Sequence, residues 1–198
     1  MTELPMFPLG SVLMPHMPTM LRVFEERYLV MLSRILADEP AEFGVVLIER
    51  GQEVGGGEHR FATGTVAQIT ELDSAEGFVV LVAEGERRVE VEEWLDDDPF
   101  PRALVRTLPE LHWDERLRPA RDRAEQVVRR ALARASEHAD QEWSADVELA
   151  EDPVAAVWQL AGIAPLEQLD RVRLLQSATM DELLVSLTDL TISADEKY

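Results

Sequence analysis

The stretch FPLGSVLMPHMPTMLRVFEERY, residues 7–28, constrains the fold more than any other part of the sequence. Prolines stand at positions 8, 15 and 18, and each one fixes its own φ angle and removes a backbone donor. The stretch therefore cannot form a single helix. It is also too apolar for a solvated linker, because clusters of hydrophobic residues separate the prolines. A ribbon of this kind is expected to pack against the rest of the chain.

The chain of 198 residues is strongly acidic. Thirty-nine acidic residues oppose nineteen basic ones, which gives a formal net charge of −20. This negative charge repels phosphate backbones and anionic lipid headgroups, so we expect neither a nucleic-acid partner nor a membrane partner. The N-terminus has no basic leader, and no apolar run is long enough to span a bilayer. The sequence thus predicts a soluble cytoplasmic protein.

The residue types argue against catalysis. The chain has no cysteine, which removes thiolate zinc sites and cysteine nucleophiles. Eighteen of the nineteen basic residues are arginine, and the only lysine is Lys197, so a phosphate-binding loop and a Ser-Lys hydrolase both lack their lysine. The four histidines share no metal-ligand spacing. We expect no catalytic residue, cofactor or metal, and a carboxylate-based, metal-dependent hydrolase remains an alternative.

The first half of the chain predicts β-strands. FGVVLIE (residues 43–49) is a continuous apolar run, and FATGTVAQIT (residues 61–70) is rich in β-branched residues. GFVVLVAEGERRVEVEEW (residues 77–94) predicts two strands separated at Gly85, with Arg88 on the polar face of the second. Closely spaced strands with glycine turns favour a small barrel.

Two other features interrupt these strands. The segment 26–39 has helical periodicity, and its apolar face is predicted to contain Leu29, Leu32, Ile35 and Leu36. The glycine-rich stretch 50–60 predicts a hairpin tip, because it lacks the third glycine and the following helix of a dinucleotide-binding loop.

The second half changes to helical periodicity. Residues 116–138 carry an apolar stripe and accept Pro119 in the first turn. Asp152 and Thr179 each precede an apolar helical pattern, and both are predicted N-caps. Pro165 marks the start of one more helix.

The fold class predicted from these patterns is α+β. A β-rich domain with one inserted helix spans residues 1–112, and a helical domain of three to four helices spans residues 113–198.

Six segments occur in an order and spacing that resemble the Lon protease N-terminal, substrate-binding domain family. They are residues 4–15 (LPMFPLGSVLMP), 23–28 (VFEERY), 43–48 (FGVVLI), 64–69 (GTVAQI), 84–91 (EGERRVEV) and 158–176 (WQLAGIAPLEQLDRVRLLQ). The resemblance implies a PUA-like β-pseudobarrel with one inserted helix, followed by a C-terminal helical bundle. It also implies a stand-alone, non-catalytic module that binds unfolded or extended polypeptide, with a separate protease or chaperone as a further partner. Neither the ATPase loop nor the Ser-Lys dyad of a full Lon protease is in the sequence.

The resemblance assigns structural roles to seven residues near the N-terminus. Five of them are implied to serve packing in the barrel and the first helix: Phe7, Pro8, Leu9, Phe24 and Tyr28. Glu25 and Arg27 are expected to form an ion pair at the start of the helix or to tie the backbone.

Candidate peptide-binding residues lie in the proline-rich ribbon. Six of the seven methionines fall within the first 31 residues. Methionine is flexible and suits surfaces that bind many apolar sequences, so Met14, His16, Met17 and Met20 are candidate contacts. We expect at least one of these methionines to be exposed and Met17→Asp to abolish binding. The alternative is that the methionines fill gaps in the barrel.

Two further possibilities concern other parts of the chain. Trp143 lies among acidic residues, where it is either part of an exposed loop or the anchor of a second docking surface. RNA binding by a PUA-like barrel is an alternative function, and the seven arginines of the segment 116–134 would be its candidate contacts. The acidic residues around that segment argue against it.

Overall fold

A computed structural model describes residues 1–37, 39–48 and 60–196. The chain divides into two compact units, Met1–Leu108 and Pro109–Tyr198. The first is rich in strands and the second is helical, which gives a mixed α+β chain. Most of the hairpin tip predicted from the sequence, residues 50–59, lies outside the described residues.

The described residues of the first unit form a six-stranded sheet with one helix inserted after its second strand. The strands are β1 (Thr2–Leu9), β2 (Pro18–Val23), β3 (Glu42–Ile48), β4 (Arg60–Ala75), β5 (Phe78–Leu95) and β6 (Arg102–Thr107), and the helix is α1 (Glu26–Ile35). Their order in the sheet is β2-β5-β4-β3-β1-β6. Among the described strands, β1 and β3 pair in parallel and the other pairings are antiparallel.

The sheet closes on itself because β5 is long enough to pair with three strands. Residues 79–84 of β5 pair with β2, residues 78–90 pair with β4, and residues 89–95 pair with β6. The enclosed side is filled by apolar side chains, which are Leu4, Met6, Val46, Val66, Val89, Ala103 and Val105, with Val91 and Trp94 packed against them. Burial of this surface from water is the main force that holds the strands together.

Helix α1 covers the opposite face of β1 through one aromatic stack. The Tyr28 ring lies parallel to the Phe7 ring, with 4.0 Å between the ring centroids, and Phe43 lies 6.0 Å from Phe7. The buried residues of α1 are Tyr28, Met31 and Leu32. The predicted face was therefore wrong in part, because Leu36 is exposed and Leu29 and Ile35 are only half-buried. Because Tyr28 stacks on Phe7 of β1, α1 is oriented with the face that carries Tyr28 toward the sheet.

The predicted break at Gly85 is also wrong, since β5 runs through this residue without interruption. Gly85 serves a different purpose. A Cβ atom at this position would lie 2.3 Å from the carbonyl oxygen of Met14. The missing side chain lets the backbone of the proline-rich ribbon cross directly over β5.

The second unit contains one 3-10 turn (Glu115–Leu117) and four α-helices. The helices are α2 (Arg118–Ser136), α3 (Pro153–Ile163), α4 (Gln168–Leu175) and α5 (Met180–Asp195). The predicted caps are confirmed, because Asp152 accepts a hydrogen bond from the Ala155 N–H and Thr179 accepts one from the Glu182 N–H. The apolar stripe of α2 is buried as predicted. Helix α3 is buried on nearly all sides.

One arginine of α4 holds the end of α3 in place. The guanidinium of Arg171 donates to the carbonyl oxygens of Gly162 (2.7 Å), Ala164 (2.8 Å) and Leu166 (3.3 Å). Gly162 lies in the last turn of α3, where carbonyl oxygens have no intrahelical donor, and Ala164 and Leu166 follow the helix. The Ala164 carbonyl oxygen also accepts a hydrogen bond from the Leu166 N–H at 2.7 Å. Burial lowers the pKa of Arg171 from its usual value. The arginine thus replaces a conventional C-terminal cap.

Replacing Gly85 by alanine should destabilise the first unit by about 1–3 kcal/mol, because the added methyl group displaces the backbone of the ribbon. Urea unfolding followed by circular dichroism measures this. The exposed neighbour Glu86 provides the control, and Glu86→Ala should change stability by less than about 0.5 kcal/mol. Equal stability of the Gly85→Ala protein and the wild type would contradict the close crossing.

Arg171→Met should destabilise the helical unit by about 1–3 kcal/mol, since it removes the arginine donors of three buried carbonyl oxygens, of which only that of Ala164 keeps its bond from the Leu166 N–H. Arg173, two residues further on, provides a matched control. It is exposed and bonds only Asp170, at 3.1 Å, so Arg173→Met should cost less than about 1 kcal/mol. Thermal unfolding compares the two variants, and similar losses from both would show that the three carbonyl contacts contribute little.

Candidate peptide-binding rim

The structure separates the four candidate residues of the proline-rich ribbon. Met14 and Met17 are buried, with 1% and 7% of their surface exposed, so their side chains fill the interior. Met20 is 72% exposed, which confirms that at least one methionine of the ribbon reaches the surface. The expectation for Met17→Asp needs correction, because a buried aspartate would damage the fold whether or not a peptide binds here.

His16 forms the turn that sends the ribbon back across β5. Its φ angle of 59° lies in the left-handed region, and its N–H donates to the carbonyl oxygen of Gly85 at 2.7 Å. The Gly85 N–H in turn donates to the carbonyl oxygen of Met17 at 2.9 Å. The side chain of Thr65 donates to the Leu13 carbonyl oxygen at 2.7 Å. These bonds fix the path of the chain into β2.

Strand β2 lies at the end of the sheet order. Within residues 1–37, 39–48 and 60–196, β5 is the only strand that pairs with it. Pro18, Met20 and Arg22 are exposed, whereas Thr19 and Leu21 are half-buried and Val23 is buried. Because side chains alternate along a strand, one row of this strand faces outward. We call residues 18–24 the rim.

The surface beside the rim is acidic. Across the sheet, Met20 lies opposite Val82, and Val82 lies opposite Glu71. Likewise, Arg22 lies opposite Val80, and Val80 lies opposite Asp73. We call Glu71, Asp73 and Glu84 the acidic flank; all three are exposed. The guanidinium of Arg22 lies over the Phe78 ring, 3.8 Å from its centroid, and is the one basic group in these rows. This face of the sheet therefore carries three acids and one arginine.

Phe24, at the end of the rim, is 67% exposed. The packing role inferred for this residue from the family resemblance is wrong, because α1 turns inward only at Tyr28. The other assigned roles differ in outcome. Glu25 and Arg27 form an ion pair at 3.1 Å, and Phe7 packs on Tyr28, while Pro8 is buried and Leu9 half-buried. Phe24 thus adds an apolar ring to the same stretch as Met20.

Trp143 lies in the segment between α2 and α3 and is half-buried. This segment is anchored by Arg129, whose guanidinium donates to the carbonyl oxygens of Ala145 (2.6 Å) and Val147 (3.1 Å). A docking role for Trp143 stays a prediction.

Two arginines follow Gly85 in β5. Arg87 makes two hydrogen bonds to Glu42 of β3, at 3.0 and 2.7 Å, and these bonds raise the pKa of Arg87. Arg88 is buried, and its burial lowers its pKa, whereas the sequence pattern placed it on a polar face. Whether a strand face is covered depends on segments elsewhere in the chain, and the pattern of a single strand does not contain that information.

Most arginines of the predicted basic segment are neutralised by neighbouring acids. Arg116, Arg118, Arg121, Arg129 and Arg134 each form an ion pair with an aspartate or glutamate. The bond to Arg116 lowers the pKa of Asp114 to about 2. In the part of the chain that is described, no group of three His, Asp or Glu residues is arranged to hold a metal ion, and no helix there is long and apolar enough to cross a membrane.

Sequence reasoning missed the rim as a unit. It named Met20 but assigned Phe24 to the interior, and it did not consider Arg22 or the acidic flank. The alternation in PTMLRV, with Met20 and Arg22 on one side and Leu21 and Val23 on the other, was the available signal. The proline-rich context concealed it.

Comparisons with known proteins agree on one family. The family model described as the ATP-dependent protease La (LON) substrate-binding domain matches residues 3–192. A Lon protease from Heliobacterium modesticaldum is 26% identical over 95% of this chain, which spans only 23% of that protein. The chain thus corresponds to about a quarter of that relative's length.

Two solved structures are similar to this chain. One is a crystal structure of a Lon N-terminal domain protein from Xanthomonas campestris, with 30% identity, a TM-score of 0.67, and coverage of 93% of this chain and 98% of the other. The other is the N-terminal domain of a Lon protease from the Mycobacterium avium complex, with 18% identity and a TM-score of 0.69 over 96% and 98% of the two chains. The second supports the fold alone. Since the family model covers nearly the whole length, the chain belongs to the Lon substrate-binding domain family.

Proposed function

We propose that this protein is a non-catalytic recognition module that binds unfolded or extended polypeptide at the rim. The observation that carries the proposal is the exposure of Met20 in β2 and of Phe24 directly after β2, with the acidic flank on the same sheet, in a member of a substrate-binding family. Exposed apolar side chains that are grouped on a surface mark interaction sites, whereas single scattered ones do not.

The charge of the surface specifies the preferred polypeptide. Glu71, Asp73 and Glu84 attract lysine and arginine side chains, and the net charge of the whole chain acts in the same direction. Folded proteins bury their apolar residues, so an apolar rim with an acidic flank favours chains that are both unfolded and basic. A flexible methionine accepts many apolar side chains at little cost, which suits a partner without a fixed sequence.

Other features complete the proposal. We propose a PUA-like pseudobarrel for the first unit and a helical bundle for the second, and action in the cytoplasm beside a separate protease or chaperone. The family match concerns the substrate-binding domain, and the sequence offers neither a phosphate-binding loop nor a lysine placed for a Ser-Lys dyad. Both observations support a role in binding without turnover.

Met20→Ser and Phe24→Ser should each weaken binding of a basic unfolded chain by about tenfold, because each removes apolar contact area without changing the charge of the site. Reduced lysozyme with its thiols blocked by iodoacetamide is a suitable probe, and fluorescence anisotropy of the labelled chain measures the dissociation constant. Stability should not change, since both side chains are exposed.

Leu169 of α4 supplies the matched control for these variants. It is 57% exposed and lies in the helical unit, so Leu169→Ser should leave binding unchanged. If Leu169→Ser weakens binding as much as Met20→Ser does, the chain attracts unfolded polypeptide through scattered apolar residues and the rim is not the site.

Neutralising the acidic flank should weaken the same complex and reduce its dependence on salt. The double variant Glu71→Gln with Asp73→Asn should lose about threefold in affinity at low salt, because two attractive charges beside the bound chain disappear. Asp96→Asn with Asp97→Asn changes the net charge equally at an exposed position after β5 and serves as the control. Equal losses from both double variants would assign the effect to the overall charge of the protein.

A further inference from the structure

Strand β4 is longer than the strand that covers one of its sides. Its pairing with β3 ends at Gln68, and one more bond joins the Ile69 N–H to the Ala41 carbonyl oxygen at 3.0 Å. The strand itself continues to Ala75 and keeps β5 on its other side. Among the described residues, no strand pairs with residues 70–75 on the side away from β5. We call this free side of residues 70–75 the β4 edge.

Hydrogen bonds of β5 show which backbone groups are turned toward β4. In an antiparallel pair, every second residue exchanges hydrogen bonds with its partner, and the residues between direct their N–H and C=O groups away. The Val82 carbonyl oxygen is turned toward β4, since it accepts a bond from the Thr70 side chain at 3.2 Å. Gly85, three residues further on, is turned toward the other side, where its N–H donates to Met17. The even-numbered residues in this part of β5 therefore bond β4.

The register of the two strands then assigns the backbone groups of β4. Glu71 lies opposite Val82, so this pair bonds across the strands, and Asp73 repeats the pattern two residues further on. Leu72 and Ser74 alternate with these residues and direct their N–H and C=O groups away from β5. The β4 edge thus offers two donors and two acceptors to an extended segment.

The side chains along the β4 edge are acidic on one face of the sheet and apolar on the other. Glu71 and Asp73 project from one face and are exposed, and Glu76 in the following turn is a third exposed acid. Leu72 projects from the opposite face and is 41% exposed. Arg22, the basic residue of these rows, lies on β2, two strands away from β4. An added strand would therefore lie directly beside the acids.

We propose that the basic part of the bound polypeptide adds to the β4 edge as an extra strand, held by main-chain hydrogen bonds to Leu72 and Ser74. This inference rests on the proposed function, because it specifies how the acidic flank takes part in recognition. Main-chain bonds do not depend on the sequence of the bound segment, so strand addition suits a module whose partners share an unfolded state.

The side chains of the β4 edge select one occupant, an extended segment in which basic and apolar residues alternate. In an added strand, the residues opposite Glu71 and Asp73 lie on the same face with Cβ atoms about 5 Å away, where lysine or arginine pairs with each acid. The residues between them lie beside Leu72 and favour valine, isoleucine or leucine. A second copy of the chain is disfavoured at this edge, because its acidic row would lie opposite the same acidic row.

Backbone amide exchange measured by NMR tests this inference on the intact chain. The probe is a short synthetic peptide in which lysine and valine alternate. In the free protein the amides of Leu72 and Ser74 should exchange quickly, and a saturating amount of peptide should slow them by about tenfold or more. The amides of Glu71 and Asp73, which face β5, provide an internal reference and should change much less.

Two N-methylated forms of this peptide separate main-chain pairing from attraction between charges. One form carries methyl groups on the backbone nitrogens of its valines, and the other carries the same number on those of its lysines. A strand on the β4 edge uses the N–H groups of only one of these sets, because successive residues point to opposite sides. One form should therefore bind about tenfold more weakly than the other. The protein is unchanged in this comparison, so its folding is not affected.

The outcomes distinguish this inference from the proposed function. Peptide binding with unprotected Leu72 and Ser74 amides, and with equal affinity of the two methylated forms, would overturn strand addition and leave recognition at the rim standing. Protection of these amides together with undiminished affinity of the Met20→Ser protein would overturn the rim and support the β4 edge. No binding at all would overturn both.

Two further results concern the occupant of the β4 edge. Equal protection of the Leu72 and Ser74 amides by a peptide in which glutamate and valine alternate would overturn the choice of a basic segment. Protection that rises with protein concentration in the absence of peptide would assign the edge to a second copy of the chain and overturn the proposal.

Discussion

The crossing of the proline-rich ribbon over β5 at Gly85 is the constraint on which the first unit depends. The hydrogen bonds of His16 and Met17 to Gly85 set the position at which β2 begins. This contact requires that residue 85 has no side chain, since the Met14 carbonyl oxygen occupies the space of a Cβ atom. The register of β2 against β5 follows from the crossing, and with it the choice of which residues face outward. The surface that we propose for recognition is thus a consequence of a backbone contact.

The prolines explain why an apolar ribbon can end in an exposed rim. Pro15 is buried at the turn, where the chain reverses, and Pro18, which has no N–H, is the exposed first residue of β2. Met14 and Met17 fill the interior on one side of the chain, which leaves Met20 as the apolar side chain of β2 that reaches the surface. Most of the proline-rich ribbon therefore packs in the interior, and its end forms the rim. The acidic residues beside it restrict the kind of chain that it attracts.

Much of the fold could be predicted from the sequence, because caps, apolar stripes and β-branched runs are local signals. Asp152, Thr179 and the buried stripe of α2 are examples in which the local pattern alone sufficed. The failures share a different cause. Three features each depend on a segment distant in sequence that covers or contacts the residue. They are the continuity of β5 at Gly85, the burial of Arg88 and the orientation of α1 with Tyr28 toward Phe7. The exposure of Phe24 belongs to the same class, since a family pattern records that an aromatic is present without showing where its ring points.

Methyl NMR of the chain with labelled methionine methyl groups tests the proposal of recognition at the rim most directly. The seven methionines report from separate places: Met20 from the rim, Met6, Met14, Met17 and Met31 from buried positions of the first unit, Met180 from the buried face of α5, and the exposed Met1 from the N-terminus. Titration with a basic unfolded polypeptide should shift the Met20 signal saturably while the Met180 and Met1 signals stay in place. A Met20 signal that does not move at concentrations where binding is complete would contradict the account.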